Sequence, residues 1–304
     1  MTATLAVDIG EVELANPIMP ASGTFGSGGD FQDFYDPACL GAVVSKSITL
    51  NPTRGNPPPR VTETPSGMLN AIGLQNGGLT DFVDNILPDL RQKAKRLVAS
   101  VAGHSEADYQ SVVERLAATP VDALEINISC PNVKAGGMAF GVSPHTAGGL
   151  VAKLRRAAGA KPLWVKLTPN VTDIVEIALA VEAAGADALV VANTFVGMAV
   201  DIESRRPILG NLTGGLSGPA IHPLALRLVY ATAQAVRCPV IGVGGIQGVT
   251  EVVAFLLAGA RAVQVGSAAL RDPGLLGRLP GELAEWLTQH QTRVKDIIGG
   301  LGRA

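Results

Sequence analysis

The stretch PLWVKLTPNVTDIVEIALAVEAAGADALVVA, residues 162–192, decides the fold class. Its composition predicts a strand at 162–168, a helix at 172–184 and a second strand at 187–192. Both strands are almost continuously apolar, as parallel strands covered on both faces are. Apolar residues of the helix recur at helical spacing, and Gly185 stands where a left-handed residue ends a helix. The stretch therefore predicts a strand–helix–strand unit of a parallel sheet.

The same alternation extends along the chain in both directions. Six further strands are predicted at 16–21, 42–48, 96–101, 123–128, 239–243 and 261–266. Helices are predicted at 80–95 with an N-cap at Thr80–Asp81, and at 106–118, 145–158, 222–236 and 249–258, the last ended by Gly259. Eight strands with intervening helices in 304 residues predict one domain, 1–304, folded as a (β/α)₈ TIM barrel. A doubly wound open sheet is the alternative.

Two insertions interrupt the alternation. Residues 51–79 are too rich in proline and glycine for a helix and too long for an ordinary connection. Residues 129–144 directly follow the fourth predicted strand. In a barrel both insertions would lie at the carboxyl-terminal rim, where active sites are built.

Composition limits the classes of function. The chain is 47% hydrophobic with a net charge of −2, which argues against disorder and against a nucleic-acid or anionic-lipid surface. Only 16% of residues are charged, which indicates a further surface buried between subunits. The first residues lack a basic and a long apolar region, so no secretory signal is expected, and no membrane span is expected either. Three scattered cysteines without a CxxC pair favour a reducing cytoplasm and no metal site.

The fourth predicted strand carries a polar face and leads into a cysteine. Alternation puts Glu125, Asn127 and Ser129 on one side of the strand. A polar face on a buried strand is costly unless something binds there. Cys130 follows beside proline and asparagine, and a thiol with a pKa of about 8.5 is a usable base at neutral pH. A small buried hydrophobe is the alternative for a lone cysteine, and it is retained for Cys39 and Cys238.

Other polar residues occur at predicted strand ends. Lys46 and Lys166 lie within apolar strands and favour an anionic ligand or a flavin, although a lysine at a strand end can also reach solvent. Gly242–Gly245 and Gly266–Ser267 follow the last two strands, a common place for a phosphate. Four asparagines at the predicted rim suggest a planar polar ligand: Asn70, Asn127, Asn132 and Asn193, the last followed by Thr194.

Together these segments resemble a known family. SKSITLNPTRGNPPPR (45–60), NAIGLQNGG (70–78), NISCPN (127–132), ANTF (192–195), GGLSGPAIHP (214–223), GVGGI (242–246) and VGSA (265–268) are similar to the catalytic subunits of type 1B dihydroorotate dehydrogenases. The similarity extends from Asn16 to about Arg271 and is specific only as a combination of motifs. It implies an FMN-containing barrel that oxidises dihydroorotate to orotate in pyrimidine synthesis.

The resemblance also assigns roles to individual residues. Cys130 would be the base that takes the proton from C5 while hydride leaves C6 for flavin N5. The substrate would be held by Lys46, Asn70, Ala71, Ile72, Gly73, Leu74, Asn127, Asn132, Asn193 and Thr194. FMN would be held by Ser22, Lys46, Ser47, Ser100, Asn127, Lys166, Ala192, Gly218, Gly244, Gly245, Gly266 and Ser267. The family usually has asparagine where this chain has Ser100, so that contact departs from the pattern.

Partners and alternatives follow from the same resemblance. The sequence has neither a Rossmann fingerprint nor a cysteine cluster, so electron transfer to NAD would need a partner subunit with FAD and a 2Fe–2S centre. The family forms a catalytic homodimer within a heterotetramer. A fumarate-dependent dihydroorotate dehydrogenase, a flavoprotein similar to dihydropyrimidine dehydrogenase and a barrel without catalysis are the alternatives. A cysteine base argues against the first, and Lys46 with Asn132 argues against the second.

Overall fold

The computed structural model describes residues 4–26, 31–129 and 140–302. Its strands, in chain order, are β1 (Val7–Ile9), β2 (Val12–Leu14), β3 (Ile18–Pro20), β4 (Val43–Val44), β5 (Val61–Thr64), β6 (Gly67–Asn70), β7 (Leu97–Val101), β8 (Ala123–Asn127), β9 (Leu163–Lys166), β10 (Ala188–Val191), β11 (Phe195–Gly197), β12 (Val200–Asp201), β13 (Arg206–Pro207), β14 (Gly214–Ser217), β15 (Val240–Val243) and β16 (Ala262–Val265).

The helices occupy the connections between these strands. They are α1 (Gly78–Asp81), α2 (Leu87–Lys93), α3 (Glu106–Ala117), α4 (Pro144–Ala158), α5 (Ile174–Ala183), α6 (His222–Ala235), α7 (Val249–Leu257), α8 (Ala268–Arg271), α9 (Leu275–Gln289) and α10 (Val294–Ile297). A π-helical segment, Phe82–Ile86, joins α1 to α2. Within the described ranges, none of the helices combines the length and hydropathy that crossing a bilayer requires.

Eight strands form one parallel sheet that closes into a barrel. Their order around the sheet is β3-β16-β15-β10-β9-β8-β7-β4. The two ends meet where the Gly41 amide donates to the Ile18 carbonyl at 2.9 Å. A Cβ on Gly41 would lie 2.0 Å from the Asn16 carbonyl oxygen, so the closure requires glycine there. The predicted (β/α)₈ barrel is confirmed, and the open sheet is excluded.

The barrel strands are apolar because both of their faces are covered. The strands β9, β10, β15 and β16 are buried along their whole length. Neighbouring helices pack side by side around them, α4 between α3 and α5. The predicted helix ends are also confirmed at Gly185 and Gly259, whose φ angles are +100° and +106°.

Some predicted boundaries are wrong. The predicted strand 42–48 is regular only at β4, and Ile48 forms an isolated bridge to Val101. The predicted helix 80–95 begins earlier, at Gly78, and no side chain of Thr80 or Asp81 caps it. Instead, the Asn76 side chain accepts a hydrogen bond from the Gly78 amide at 2.8 Å. An asparagine before two glycines therefore sets the start of this helix.

The described residues form three further sheets that were not predicted, and the smallest is the antiparallel pair β12–β13. The strands β1 and β2 form an antiparallel hairpin that precedes the barrel. A four-stranded antiparallel sheet has the order β11-β14-β6-β5, which we call the roof sheet. The predicted insertion 51–79 supplies β5 and β6, whereas β11 and β14 come from the connection after barrel strand β10. Most of the other insertion, 130–139, lies outside the described residues.

Candidate active site

A cavity of about 310 Å³ opens at the carboxyl ends of the barrel strands, beneath the roof sheet. This volume lies within the usual range for pockets that bind small molecules. Most of the residues predicted for the site line it: Ser22, Lys46, Ser47, Asn70, Ala71, Ile72, Gly73, Leu74, Asn127, Lys166, Ala192, Asn193, Thr194, Gly218, Gly244, Gly245, Gly266 and Ser267. Residues from far apart in the sequence therefore meet at one place.

Three predicted residues remain to be accounted for. Cys130 and Asn132 lie outside the described residues. Ser100 is fully buried and lies behind Ser47, with 3.0 Å between the two hydroxyl oxygens. Its amide donates to the Ser45 hydroxyl at 3.0 Å. In this structure Ser100 approaches the cavity only through Ser47, so its direct contact with a cofactor stays a prediction.

Asn127 is held rigidly at the end of β8. The Ser129 hydroxyl donates to its Oδ1 at 2.5 Å, and the Tyr109 hydroxyl donates to its carbonyl oxygen at 2.6 Å. The Asn193 amide donates in turn to the Ser129 hydroxyl. Because its oxygen is already engaged, Asn127 presents its amide nitrogen, which lies 3.4 Å from Ser47 Oγ. These side chains form an ordered set of donors and acceptors suited to a planar polar ligand.

Lys46 is half-buried in the cavity wall. Burial lowers the pKa of Lys46, and the neighbouring Arg60 guanidinium lowers it further. Arg60 itself is fixed by the Asn56 carbonyl at 2.5 Å and the Gln75 side chain at 2.6 Å. Among the described residues no carboxylate forms an ion pair with Lys46. Lys46 and Arg60 are neighbouring cations that form no ion pair with a carboxylate of the described residues, and this favours an anionic ligand.

Lys166 lies deeper, at the end of β9. Its Nζ donates to Gln264 Oε1 at 3.1 Å and to Ser22 Oγ at 3.4 Å. Burial lowers the pKa of Lys166, whereas Glu125 raises it. Its ammonium therefore borders the cavity from below while its buried side faces a carboxylate.

Another part of the cavity wall is built from glycine turns. Gly218, Gly244 and Gly245 have φ angles of +101°, +138° and +70°, which side chains other than glycine rarely adopt. A Cβ on Gly245 would lie 2.6 Å from His222 Cβ and 2.9 Å from the Gly218 carbonyl oxygen. Backbone packed this closely without side chains suits a phosphate group.

Comparison with known proteins agrees with this geometry. The family model described as dihydroorotate dehydrogenase matches residues 4–287.

The chain belongs to the dihydroorotate dehydrogenase family.

It is 50% identical over 303 residues to the catalytic subunit of dihydroorotate dehydrogenase B (NAD(+)) from Trichlorobacter lovleyi, with 99% of each chain covered. The subunit of the same name from Geobacter sulfurreducens is 50% identical over 299 residues, 98% of each chain. The one from Phocaeicola vulgatus is 49% identical over 301 residues, covering 98% of this chain and 99% of that one. The resemblance to this family, predicted from the motifs, is confirmed.

One wall residue and one residue beneath the wall of this dihydroorotate dehydrogenase family member were missed in the sequence. Asn170 lies after β9, donates to the Thr194 carbonyl at 3.0 Å and accepts from the Val196 amide at 2.8 Å. Asn170 belongs to the segment TPN (168–170), directly after an apolar strand. The same signal identified the other rim asparagines. Gln264 is fully buried within the apolar strand β16. A polar residue in such a strand is the signal that identified Lys166.

Proposed function

We propose that the chain oxidises (S)-dihydroorotate to orotate in pyrimidine synthesis, as a single FMN-binding barrel domain. The observation that carries the proposal is the cavity itself. Its wall is lined by Lys166, by the glycine turn at Gly244–Gly245 and by the amides of Asn127 and Asn193, which supports a flavin beside a planar polar substrate. Relatives about 50% identical over nearly the whole chain, named as NAD(+)-linked catalytic subunits, support the same activity.

The residues present fit FMN. The turns at Gly244–Gly245 and Gly266–Ser267 offer backbone amides with no side chain in the way, as a phosphate requires. Lys166 provides a cation where the ring system would lie, and Ser22 and Ser47 provide hydroxyls beside it. Bound FMN would supply the two-electron acceptor that takes hydride from C6 of the substrate at flavin N5.

The chain's own residues would bind and deprotonate the substrate. Lys46 would pair with the substrate carboxylate, since it has no carboxylate partner among the residues the structure describes. Asn70, with Ala71–Leu74, and Asn127, Asn132, Asn193 and Thr194 would hold the pyrimidine ring. Cys130 would take the proton from C5 on the face opposite the hydride acceptor. This role for Cys130 is supported by its place in NISCPN, directly after β8.

The proposal extends to partners and location. Electrons would pass to NAD through a partner subunit that holds FAD and a 2Fe–2S centre, as the words "catalytic subunit" in the relatives' names suggest. Exposed apolar side chains between β11 and β14, among them Met198, Ile202 and Leu212, support a subunit contact and hence a homodimer. The free thiols Cys39 and Cys238 favour the cytoplasm.

The absorption spectrum of the purified protein tests the proposal. We expect a yellow protein that releases FMN on denaturation and is bleached by dihydroorotate without oxygen. Dihydrouracil in place of dihydroorotate distinguishes a dihydropyrimidine reductase, and reoxidation by fumarate distinguishes a fumarate-dependent enzyme. A protein that remains colourless after incubation with FMN contradicts the proposal.

Replacing the proposed base separates catalysis from cofactor binding. We expect Cys130→Ala to bind FMN normally but to slow its reduction by dihydroorotate about 10²–10⁴-fold near neutral pH, the usual contribution of a general base. Cys39→Ala is the control, because Cys39 is free and partly buried and does not line the cavity. Stopped-flow absorbance measures both rates. An unchanged rate in Cys130→Ala removes this residue from the base role.

A further inference from the structure

Three buried polar side chains meet beneath the cavity. Glu125 belongs to β8, Lys166 to the adjacent β9 and Gln264 to β16, which is not a neighbour of either strand. Glu125 and Gln264 are completely inaccessible to solvent, and Lys166 is 3% exposed. Polar groups this deep in a barrel destabilise the fold unless they are paired. Their arrangement therefore needs a reason beyond packing.

The hydrogen bonds fix the orientation of the Gln264 amide. Gln264 Nε2 donates to Glu125 Oε2 at 2.6 Å, and Gln264 Oε1 accepts from Lys166 Nζ at 3.1 Å. The opposite orientation would set the amide NH₂ against an ammonium and the amide oxygen against a carboxylate. Glu125 therefore determines which end of Gln264 faces the lysine.

The same contacts direct the ammonium of Lys166. Of its three N–H donors, one is taken by Gln264 and a second by Ser22 at 3.4 Å. The described parts of the chain give the lysine no third hydrogen-bond acceptor. Because Lys166 and Ser22 both line the cavity, the remaining donor is available to a ligand there. Glu125 contacts no ligand, since it does not line the cavity.

Glu125 also balances the charge of the lysine. Its Oε1 lies 3.9 Å from Lys166 Nζ and has no hydrogen-bond partner among the described residues. Burial lowers the pKa of Lys166, and Glu125 is the group that opposes this shift. Within residues 4–26, 31–129 and 140–302, no other carboxylate forms an ion pair with Lys166. Without Glu125 the buried amine would lose its proton more readily.

We propose that Glu125 is a positioning residue that, directly and through the Gln264 amide, holds Lys166 charged and directed at the bound flavin. FMN gains negative charge on two-electron reduction, so a fixed cation strengthens binding of reduced FMN more than of oxidised FMN. This inference rests on the proposed function, because it requires FMN in the cavity. It assigns a role to a residue that touches neither cofactor nor substrate.

The test compares the wild-type protein with Glu125→Gln, which preserves side-chain volume. The readouts are the midpoint potential of bound FMN between neutral and alkaline pH, and the ratio of the dissociation constants for oxidised and reduced FMN. We expect the preference for reduced FMN to fall at least tenfold in Glu125→Gln. The loss should grow as the pH rises, because the cationic form exists only below the lysine pKa and the substitution lowers that pKa.

Glu182→Gln is the matched control. Glu182 accepts backbone hydrogen bonds from Arg237 and Cys238 and does not line the cavity. It should lose some thermal stability and leave the FMN potential unchanged. A wild-type potential and binding ratio in Glu125→Gln over the whole pH range overturn the inference. If wild-type protein also fails to bind FMN, the proposed function falls with it.

A second variant covers the case in which Glu125→Gln does not fold. Lys166→Met and the double variant Glu125→Gln/Lys166→Met remove the cation and the whole ion pair, respectively. If Glu125 acts through the lysine, the two variants have the same FMN potential and the same pH dependence. A potential that differs between the two variants, in either direction, contradicts the inference.

Discussion

Lys46 and Lys166, which both line the cavity, have opposite surroundings. Lys166 faces Glu125 on its buried side, whereas Lys46 has Arg60 as its charged neighbour. A cation balanced by a carboxylate is suited to a permanent role beside a cofactor. A lysine without such a partner is stabilised most by an anion that binds reversibly. The anion offsets both the cost of burying the ammonium and its repulsion by the neighbouring cation. We therefore expect Lys46 to respond to the substrate carboxylate.

The pKa of Lys46 predicts how substrate binding depends on pH. Burial and Arg60 lower this pKa. The Lys46 amine is therefore fully protonated below the lowered value and loses its proton as the pH rises through it. Dihydroorotate should therefore bind Cys130→Ala about tenfold or more weakly at alkaline pH, the loss of one charge-assisted hydrogen bond of about 1.5 kcal/mol. Titration of the flavin spectrum measures the affinity.

Lys46→Met in the same background provides the comparison. It should bind dihydroorotate weakly at every pH and lose the alkaline transition. A transition of the same size with methionine at this position would show that another group titrates.

At the scale of elements, the turns after barrel strands carry the binding geometry. The turn after β15 contains Gly244 and Gly245 in left-handed conformations, packed against the start of α6 at His222. His222 Nδ1 lies 3.2 Å from the Gly244 carbonyl oxygen. The helix therefore supports the turn from outside while the turn faces the cavity. A side chain here would disturb both contacts.

Gly245→Ala should weaken FMN binding while the barrel stays folded. Its Cβ would meet His222 and the Gly218 carbonyl, which displaces the turn from the phosphate position. We expect FMN affinity to fall about tenfold or more, equivalent to about 1.4 kcal/mol. Fluorescence titration of the apoprotein with FMN measures it.

Gly259→Ala is the control for backbone strain. Gly259 also has a positive φ, +106°, and its Cβ would lie 2.7 Å from Ala233 Cβ, away from the cavity. Both variants should lose about 1 kcal/mol or more of unfolding free energy. Equal FMN affinities in the two variants would exclude a special role for the turn after β15.

At the scale of the whole molecule, closure of the barrel depends on the contact between β3 and β4. The two end strands of the barrel sheet, β3 and β4, meet at Gly41, and this contact closes the ring of strands. The carboxyl ends of all eight strands face one rim only because this ring is closed. A substitution that disturbs the contact between β3 and β4 should therefore lower the stability of the whole fold.

Gly41→Ala should destabilise the whole barrel. The new Cβ would lie 2.0 Å from the Asn16 carbonyl oxygen, so the segment that leads into β3 must shift. We expect a loss of about 2 kcal/mol or more in the free energy of urea unfolding, at the upper end for ordinary substitutions. Gly149→Ala in α4 is the control, since nothing lies within 4 Å of its Cβ.

The control variant, Gly149→Ala, should raise the free energy of unfolding. Replacing an exposed glycine inside a helix by alanine stabilises it by about 0.5–1 kcal/mol. Equal stability of Gly41→Ala and the wild type would show that the joint between β3 and β4 tolerates a side chain.

The sequence by itself determined the barrel and most of its cavity wall. The barrel strands are marked by local signals, because a strand covered on both faces must be apolar over four to six residues and a helix must repeat every 3.6. Polar residues at strand ends, such as Lys46, Asn127 and Lys166, stand out against that background. Since parallel strands share a carboxyl-terminal edge, their convergence followed from the fold class.

Only the tertiary structure decided the pairings between distant segments. The roof sheet joins Met68 of β6 to Ser217 of β14, and no local pattern records such a register. The start of the helix at Gly78 depends on the Asn76 side chain, which the periodic pattern does not contain. Glu125 and Gln264 are 139 residues apart, yet they form one hydrogen bond across the barrel. Local sequence sets which face a side chain takes, but closure of the ring sets which side chains meet.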